Sequence, residues 1–93
     1  MKGKSKYYYE NSLVWQIEPV TETIYVMNKK NESSYLFTNV EKEIWLAINE
    51  RRSVIEITNT LVEIYDISSE ILRKDIIKFI SRLLDEELIY EIN

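Results

Sequence analysis

The sequence predicts an α+β domain in which a three-stranded antiparallel sheet is followed by three helices. Two observations lead to this prediction. Between Leu13 and Thr38, short runs of aromatic and branched residues alternate between two faces, which is the period of a β-strand. Beyond Thr38, apolar residues recur every three to four positions, which is the period of an amphipathic helix. Because the strand signals all precede the helix signals, we expect the sheet and the helices to be segregated in the fold.

Three short runs carry the strand pattern. Residues 13–17 alternate and are closed by Pro19, which cannot continue a paired strand. Residues 23–27 form the second run and stop at a polar turn, residues 28–31. Residues 34–38 form the third run, which is short and flanked by polar residues. The spacing therefore predicts a meander of three antiparallel strands.

Capping signatures mark the first two helices. Thr38 followed by Glu41 has the spacing of a capping box just ahead of an apolar helical face. Ser53 followed by Glu56 repeats that spacing at the start of the second helix. Both helices are expected to be short, since polar residues interrupt the pattern after each of them.

The third helix is predicted to be longer than the first two. Ser68 or Ser69 can cap it, and its apolar periodicity runs to about Glu86. Residues 88–92 then predict a short extended segment, or wing, that folds back on the core. Two short helices, a longer one and a wing resemble a winged helix-turn-helix, a fold that does not by itself imply DNA binding.

Composition excludes several classes of function. The 93 residues include no cysteine and no histidine, so disulfides, zinc fingers, thiolate nucleophiles and imidazole bases are absent. We therefore predict a protein that is not an enzyme and uses no cofactor or metal. Twelve basic and 16 acidic residues give a net charge of -4, which disfavours binding to nucleic acid. No apolar run approaches the roughly 20 residues of a membrane span, and no signal peptide is evident, so we expect a cytoplasmic protein without membrane contact.

The chain is expected to contain one domain and one arm. Residues 1–12 are rich in lysine and tyrosine and lack a clear period, which predicts a flexible N-terminal arm. Residues 13–93 are predicted to form the single domain.

The third helix is more apolar than docking requires. Four residues suffice to bury one stripe: Leu72, Ile76, Phe79 and Leu83. Three more widen that surface on one flank: Ile77, Ile80 and Leu84. Either the wing or the N-terminal tyrosines cover this flank, or it forms one wall of a peptide groove.

A line of cations lies beside this flank, although the protein is acidic. Lys74, Lys78 and Arg82 follow one another at four-residue steps, and Arg73 lies on the flank itself. These residues are expected either to attract an acidic peptide or to form a solvated face with local ion pairs.

The third predicted strand supplies the other wall of the hypothetical groove. An exposed sheet edge is normally blunted by charge or proline, and residues 34–38 contain neither. An incoming peptide is expected to pair with this edge, although Tyr35 and Phe37 can instead simply fill the core. The predicted peptide-binding residues are Ser34, Tyr35, Leu36, Phe37, Thr38, Arg73, Lys74, Ile77, Lys78, Ile80, Ser81 and Leu84.

From Phe37 onward the sequence resembles a known family. The resemblance is carried by these motifs at matching spacing: Phe37-Thr38, Ile44-Trp45, Asn49-Glu50, residues 53–57, residues 75–83 and Glu87-Leu88. It is similar to the PqqD-like family, the precursor-peptide recognition elements of ribosomally made, modified peptides. Two glycines of the family pattern are replaced here, by Glu50 and Glu87.

The resemblance implies a binding module without catalytic residues. Such a module binds the leader of a precursor peptide as an added strand along the third strand, in a groove against the third helix. It then presents the peptide to a modifying enzyme, which would be a radical SAM enzyme in a pyrroloquinoline quinone pathway or a leader protease in a lasso peptide pathway.

Two other functions remain open from the residues alone. A winged-helix transcription regulator would place one of its helices in the major groove of DNA. A structural subunit would use the apolar flank of the third helix for a partner helix or for a second copy of itself.

Overall fold

The computed structural model describes residues 3–92. Over that range the elements are β1 Lys6–Tyr9, β2 Leu13–Ile17, β3 Ile24–Asn28, β4 Ser34–Phe37, α1 Asn39–Asn49, α2 Val54–Ile64, α3 Ser69–Asp85 and β5 Ile89–Ile92. Strands β2, β3 and β4 form an antiparallel sheet with β3 in the centre, and β1 pairs with β5 in a separate two-stranded sheet. The predicted α+β class is confirmed. None of the helices in the described range combines the length and the apolar character needed to cross a bilayer.

Alternation along the three-stranded sheet separates an inner face from an outer one. Ile24, Val26 and Phe37 point inward and are at most 2% exposed. Phe37 packs against Trp45 of α1, with ring centroids 5.2 Å apart, so the sheet covers the helices. The outer face carries four exposed large side chains: Val14, Tyr25, Met27 and Leu36.

The segment predicted as a flexible arm contributes β1 to the fold. β1 runs antiparallel to β5, and Tyr9 lies opposite Ile89. Tyr7 and Tyr9 are buried, and the Tyr9 hydroxyl donates a hydrogen bond to the backbone carbonyl of Trp45. Burial raises the pKa of Tyr9, so its hydroxyl stays protonated.

The local sequence pattern did not indicate this strand for two reasons. Three consecutive tyrosines hide the alternation between buried and exposed positions, and the partner strand lies at the far end of the chain. Met1 and Lys2 of the predicted arm, and Asn93 of the predicted domain, lie outside the described residues.

Two of the predicted helix caps form as expected. Ser53 and Glu56 make a complete capping box at the start of α2, and the Ser68 side chain accepts from the backbone N–H of Ile71 at the start of α3. The capping box predicted at Thr38 does not form, since the Thr38 side chain makes no capping hydrogen bond. The next residue, Asn39, has a φ of 54°, and this left-handed entry into α1 is incompatible with the regular first turn that a capping box needs.

Helices α1 and α3 end in the same way, in a Schellman motif. After α3, the N–H of Glu87 donates to the carbonyl of Leu84 at 3.0 Å, and the N–H of Leu88 donates to that of Leu83 at 2.9 Å. Glu87 has a φ of 57°, in the left-handed region that glycine adopts most easily. Glu87, which stands where the family pattern has glycine, therefore occupies a position that favours glycine.

The turn after α1 also contains a left-handed residue, but Glu50, which stands where the family pattern has glycine, is not that residue. There the left-handed residue is Arg51, with a φ of 56°, whereas Glu50 is right-handed. The Arg51 guanidinium lies 4.1 Å from the ring centroid of Tyr8, a cation–π contact between the turn and β1.

We expect Glu87→Gly to stabilise the fold by about 1 kcal/mol, because glycine adopts the left-handed conformation without a Cβ penalty. Chemical denaturation measures this change as a higher midpoint at constant slope. The matched control is Asp85→Gly in the last turn of α3, where glycine costs about 0.5–1 kcal/mol. A loss of stability in Glu87→Gly equal to that in the control would contradict the prediction.

Candidate functional site

The outer edge of β4 is open. The sheet order makes β4 a terminal strand, and no strand within residues 3–92 pairs with its far side. Its four residues include no charged side chain and no proline, the usual protections of an exposed edge. The edge is therefore available for pairing with another chain.

Hydrogen bonding between the strands fixes which groups of β4 point outward. The N–H of Asn28 donates to the carbonyl of Ser33 at 2.8 Å, so bonded pairs alternate along β3 and β4 from that point. By this alternation Tyr35 and Phe37 direct their backbone groups to β3. Ser34 and Leu36 direct their N–H and C=O groups to the open edge.

The inner side of β4 connects the edge to α3 through aromatic rings. Tyr35 and Phe37 stack with centroids 6.2 Å apart, and Phe37 meets Phe79 of α3 edge-on at 5.1 Å. Phe37 is fully buried and Phe79 nearly so, whereas Tyr35 is half-buried. The rings thus fix the position of α3 relative to the open edge.

A depression lies on the side of α3 that faces the start of α1, directly after β4 in the chain. It is lined by Val40, Glu41, Ile44, Asp75, Lys78, Phe79 and Arg82. Arg82 spans it with an ion pair of 3.6 Å to Glu41 of α1, and it also pairs with Glu86 at the end of its own helix, at 3.4 Å. The depression has an apolar floor and a rim of mixed charge, so it suits an apolar side chain flanked by polar groups.

The predicted site residues on β4 lie together at the open edge. Ser34, Leu36 and Thr38 are exposed, with Leu36 at 61%. Phe37 is buried and its backbone groups pair with β3, so it does not take part in the open edge directly. On α3, Lys78 lines the depression beside Phe79.

The other predicted α3 residues do not lie on that side of the helix. Arg73, Lys74 and Ile77 line a separate groove against α2, and Leu84 lines a pocket with residues of the β1–β2 connection. Ile80 has no exposed surface and belongs to the core, and Ser81 is half-buried. Periodicity predicted the buried stripe of α3 correctly. It could not show which flank of the helix faces β4, because tertiary packing sets that orientation.

Several residues at the depression were not predicted as site residues. Arg82 was placed in the cationic line and Phe79 in the buried stripe of the third helix, whereas Asp75 appeared only within a family motif. The ion pair between Arg82 and Glu41 joins two helices far apart in sequence. No local spacing signals such a contact, so only the assembled fold brings these residues together.

Within the described part of the chain, no group of three acidic side chains is arranged to hold a metal ion.

The fold and the open edge together define a small α+β domain with the arrangement of a binding module. The chain belongs to the family of coenzyme PQQ synthesis protein D (PqqD), whose model matches residues 25–89. The resemblance inferred from the sequence motifs is thereby confirmed. No curated protein sequence matches the chain.

Two solved structures share the fold. One is TbiB1 in complex with the TbiA(beta) leader peptide, with a TM-score of 0.81 and 16% identity over 88% of this chain and 93% of that one. The other is lasso peptide synthetase B1 complexed with the leader peptide, with a TM-score of 0.82 and 8% identity over 90% of this chain and 96% of that one. At these identities the likeness establishes the fold.

Proposed function

We propose that this protein recognises the leader segment of a ribosomally synthesised precursor peptide. The leader pairs as an added strand with β4, and the protein delivers it to a modifying enzyme or a leader protease. The observation that carries this proposal is the open, uncharged edge of β4 beside the depression on α3. Membership of the PqqD family and the leader peptides named in the two similar structures support it.

The backbone of β4 provides only part of the affinity. Ser34 and Leu36 offer two donors and two acceptors, and each hydrogen bond contributes about 0.5–1.5 kcal/mol net. Four such bonds give about 2–6 kcal/mol, whereas micromolar binding needs about 8 kcal/mol. Apolar side chains of the leader must therefore supply the rest by burial.

Strand geometry determines where those side chains go. A leader residue opposite Tyr35 or Phe37 projects to the inner side, towards the depression beside Phe79. A residue opposite Leu36 projects to the outer face of the sheet. We therefore propose a leader with large apolar side chains at alternate positions facing α3, and with Lys78 and Asp75 at the rim meeting its polar groups.

No bond is made or broken by this protein in the proposal. It uses no cofactor or metal, and the cytoplasmic location expected from the sequence stays a prediction. The DNA-binding alternative has no support in the described structure, and the net charge of -4 disfavours it.

Nuclear magnetic resonance tests the proposal directly. Synthetic leaders of candidate precursor peptides are titrated into the ¹⁵N-labelled chain. We expect the largest shift changes at the amides of Ser34 and Leu36, with slower solvent exchange of both, and further changes at Lys78. Binding accompanied by shift changes confined to α2 and the β1–β5 sheet would refute strand addition at β4.

A further inference from the structure

A second groove lies between α2 and α3, away from the open edge of β4. It is lined by Ile55, Thr58, Asn59, Ser69, Glu70, Arg73, Lys74 and Ile77. At 100° per residue, Ile77 lies about 160° around α3 from Asp75, which lines the depression beside Phe79. The proposed leader site therefore leaves this groove unused.

The floor of this groove is apolar and accessible. Ile55 is 44% exposed, and Ile77 of α3 is half-buried. Thr58 is buried, and its hydroxyl already donates to the carbonyl of Val54 at 2.8 Å. The floor thus offers apolar surface and no unsatisfied polar group.

The rim of the groove is basic. Arg73 and Lys74 line it on α3, and Lys74 is only loosely paired with Glu70, at 3.8 Å with both side chains highly exposed. Such an exposed pair contributes little and is easily exchanged for another anion.

The N-terminal segment adds to this positive charge. The N–H of Ile55 donates to the carbonyl of Gly3 at 3.0 Å, and Val54 donates to the carbonyl of Ser5 at 3.4 Å. This pairing brings the exposed Lys4 and Lys6 to the start of α2. Arg73 and Lys74 on the rim, together with Lys4 and Lys6 at the start of α2, therefore make this region basic in a protein whose net charge is -4.

We propose that the groove between α2 and α3 binds an acidic segment with a large apolar side chain, supplied by the enzyme that receives the peptide. The apolar side chain packs on Ile55 and Ile77, and the acidic residues pair with Arg73 and Lys74. The identity of the partner rests on the proposed function, whereas the chemistry of the segment follows from the groove. A groove separate from β4 lets the protein hold the leader and the enzyme at the same time.

The test uses a defined probe on the full chain. The probe is a synthetic peptide with one phenylalanine among glutamates. The control is the same peptide with every glutamate changed to glutamine. We expect the acidic probe to shift the amides of Ile55, Thr58 and Ile77, and expect its affinity to fall with added salt. Equal binding of the two peptides, or shifts of the acidic probe elsewhere on the chain, would overturn the proposal.

Charge reversal gives a matched pair of variants. The double variant Arg73→Glu and Lys74→Glu should weaken binding of the acidic probe at least tenfold, and both side chains are exposed, so folding is preserved. Lys29→Glu with Lys30→Glu makes the same change of net charge at the exposed turn after β3 and should leave the affinity unchanged. An equal loss in both double variants would show attraction by net charge alone and would refute the site.

Leader titration of the same variants separates this inference from the proposed function. The Arg73→Glu and Lys74→Glu variant should bind the leader within about twofold of the unchanged chain, because the leader contacts the other side of α3. If instead this variant loses the leader as well, the two sites are not separate and the inference fails. Failure of the unchanged chain to bind leaders, with the acidic probe still bound, refutes the proposed function and leaves the groove chemistry supported.

Discussion

The Leu36→Pro variant is expected to lose leader binding while it keeps its fold. The N–H of Leu36 points to the open edge and donates to no strand among residues 3–92, so proline removes a donor for the added strand but no bond within the sheet. The missing hydrogen bond and the bulk of the ring at the edge should weaken binding at least tenfold. Isothermal titration calorimetry with a synthetic leader measures the loss, and circular dichroism verifies the fold.

The opposite edge of the sheet provides the control. Along β2 the bonded pairs alternate from Lys29, whose N–H donates to the carbonyl of Ser12 at 2.9 Å, so the N–H of Ile17 also points away from β3. Ile17→Pro removes an outward donor from β2 and should leave leader binding unchanged. Ser34→Pro repeats the test on β4, in case one proline disturbs the strand. Unchanged leader affinity in both folded β4 variants would exclude strand addition at this edge.

Phe37→Ala is expected to destabilise the fold by about 3–5 kcal/mol, since it leaves a cavity among buried aromatic rings. Phe37 is 0% exposed and touches Trp45 of α1 and Phe79 of α3. Truncation to alanine therefore removes the ring contacts that join the sheet to both helices. Chemical denaturation monitored by tryptophan fluorescence measures the change in the free energy of unfolding.

Leu36→Ala is the matched control for the core. Leu36 adjoins Phe37 in the chain but lies on the outer face, so its truncation should change stability by no more than about 0.5 kcal/mol. Comparable losses in the two variants would mean that the outer face is covered in the folded protein, contrary to the assignment of the two faces of the sheet.

Local pattern predicted most of the fold because local forces determine most of it. Alternation placed the three strands, and the capping box at Ser53 formed as expected because its two partners lie within one helical turn. The prediction at Thr38 was wrong, since the left-handed conformation of Asn39 overrides the motif. Strand β1 was missed because its pairing partner, β5, lies at the other end of the chain, beyond the reach of any local sequence pattern.

The candidate site also contains one part that local sequence predicts and one part that depends on tertiary packing. The absence of charge and proline marked residues 34–38 as a candidate edge, and the sheet order makes β4 a terminal strand. The α3 residues of the site depend on how this helix is rotated about its axis against the sheet. A helical-wheel projection of one helix cannot specify that rotation. Phe79 is an example. Its periodicity predicted a core residue, but only its contact with Phe37 in the folded structure shows that the adjacent Lys78 lies near the edge.

The pairing of β1 with β5 also bears on the order of folding. Joining these strands closes a loop of roughly 80 residues, which costs on the order of 4 kcal/mol in chain entropy, whereas the β2–β3 and β3–β4 hairpins close across only a few residues. Native contacts of high sequence separation form slowly for this reason. We therefore expect the first and last strands to join a domain whose hairpins and helices are already assembled, with the stacking of Tyr9 on Trp45 forming late in folding.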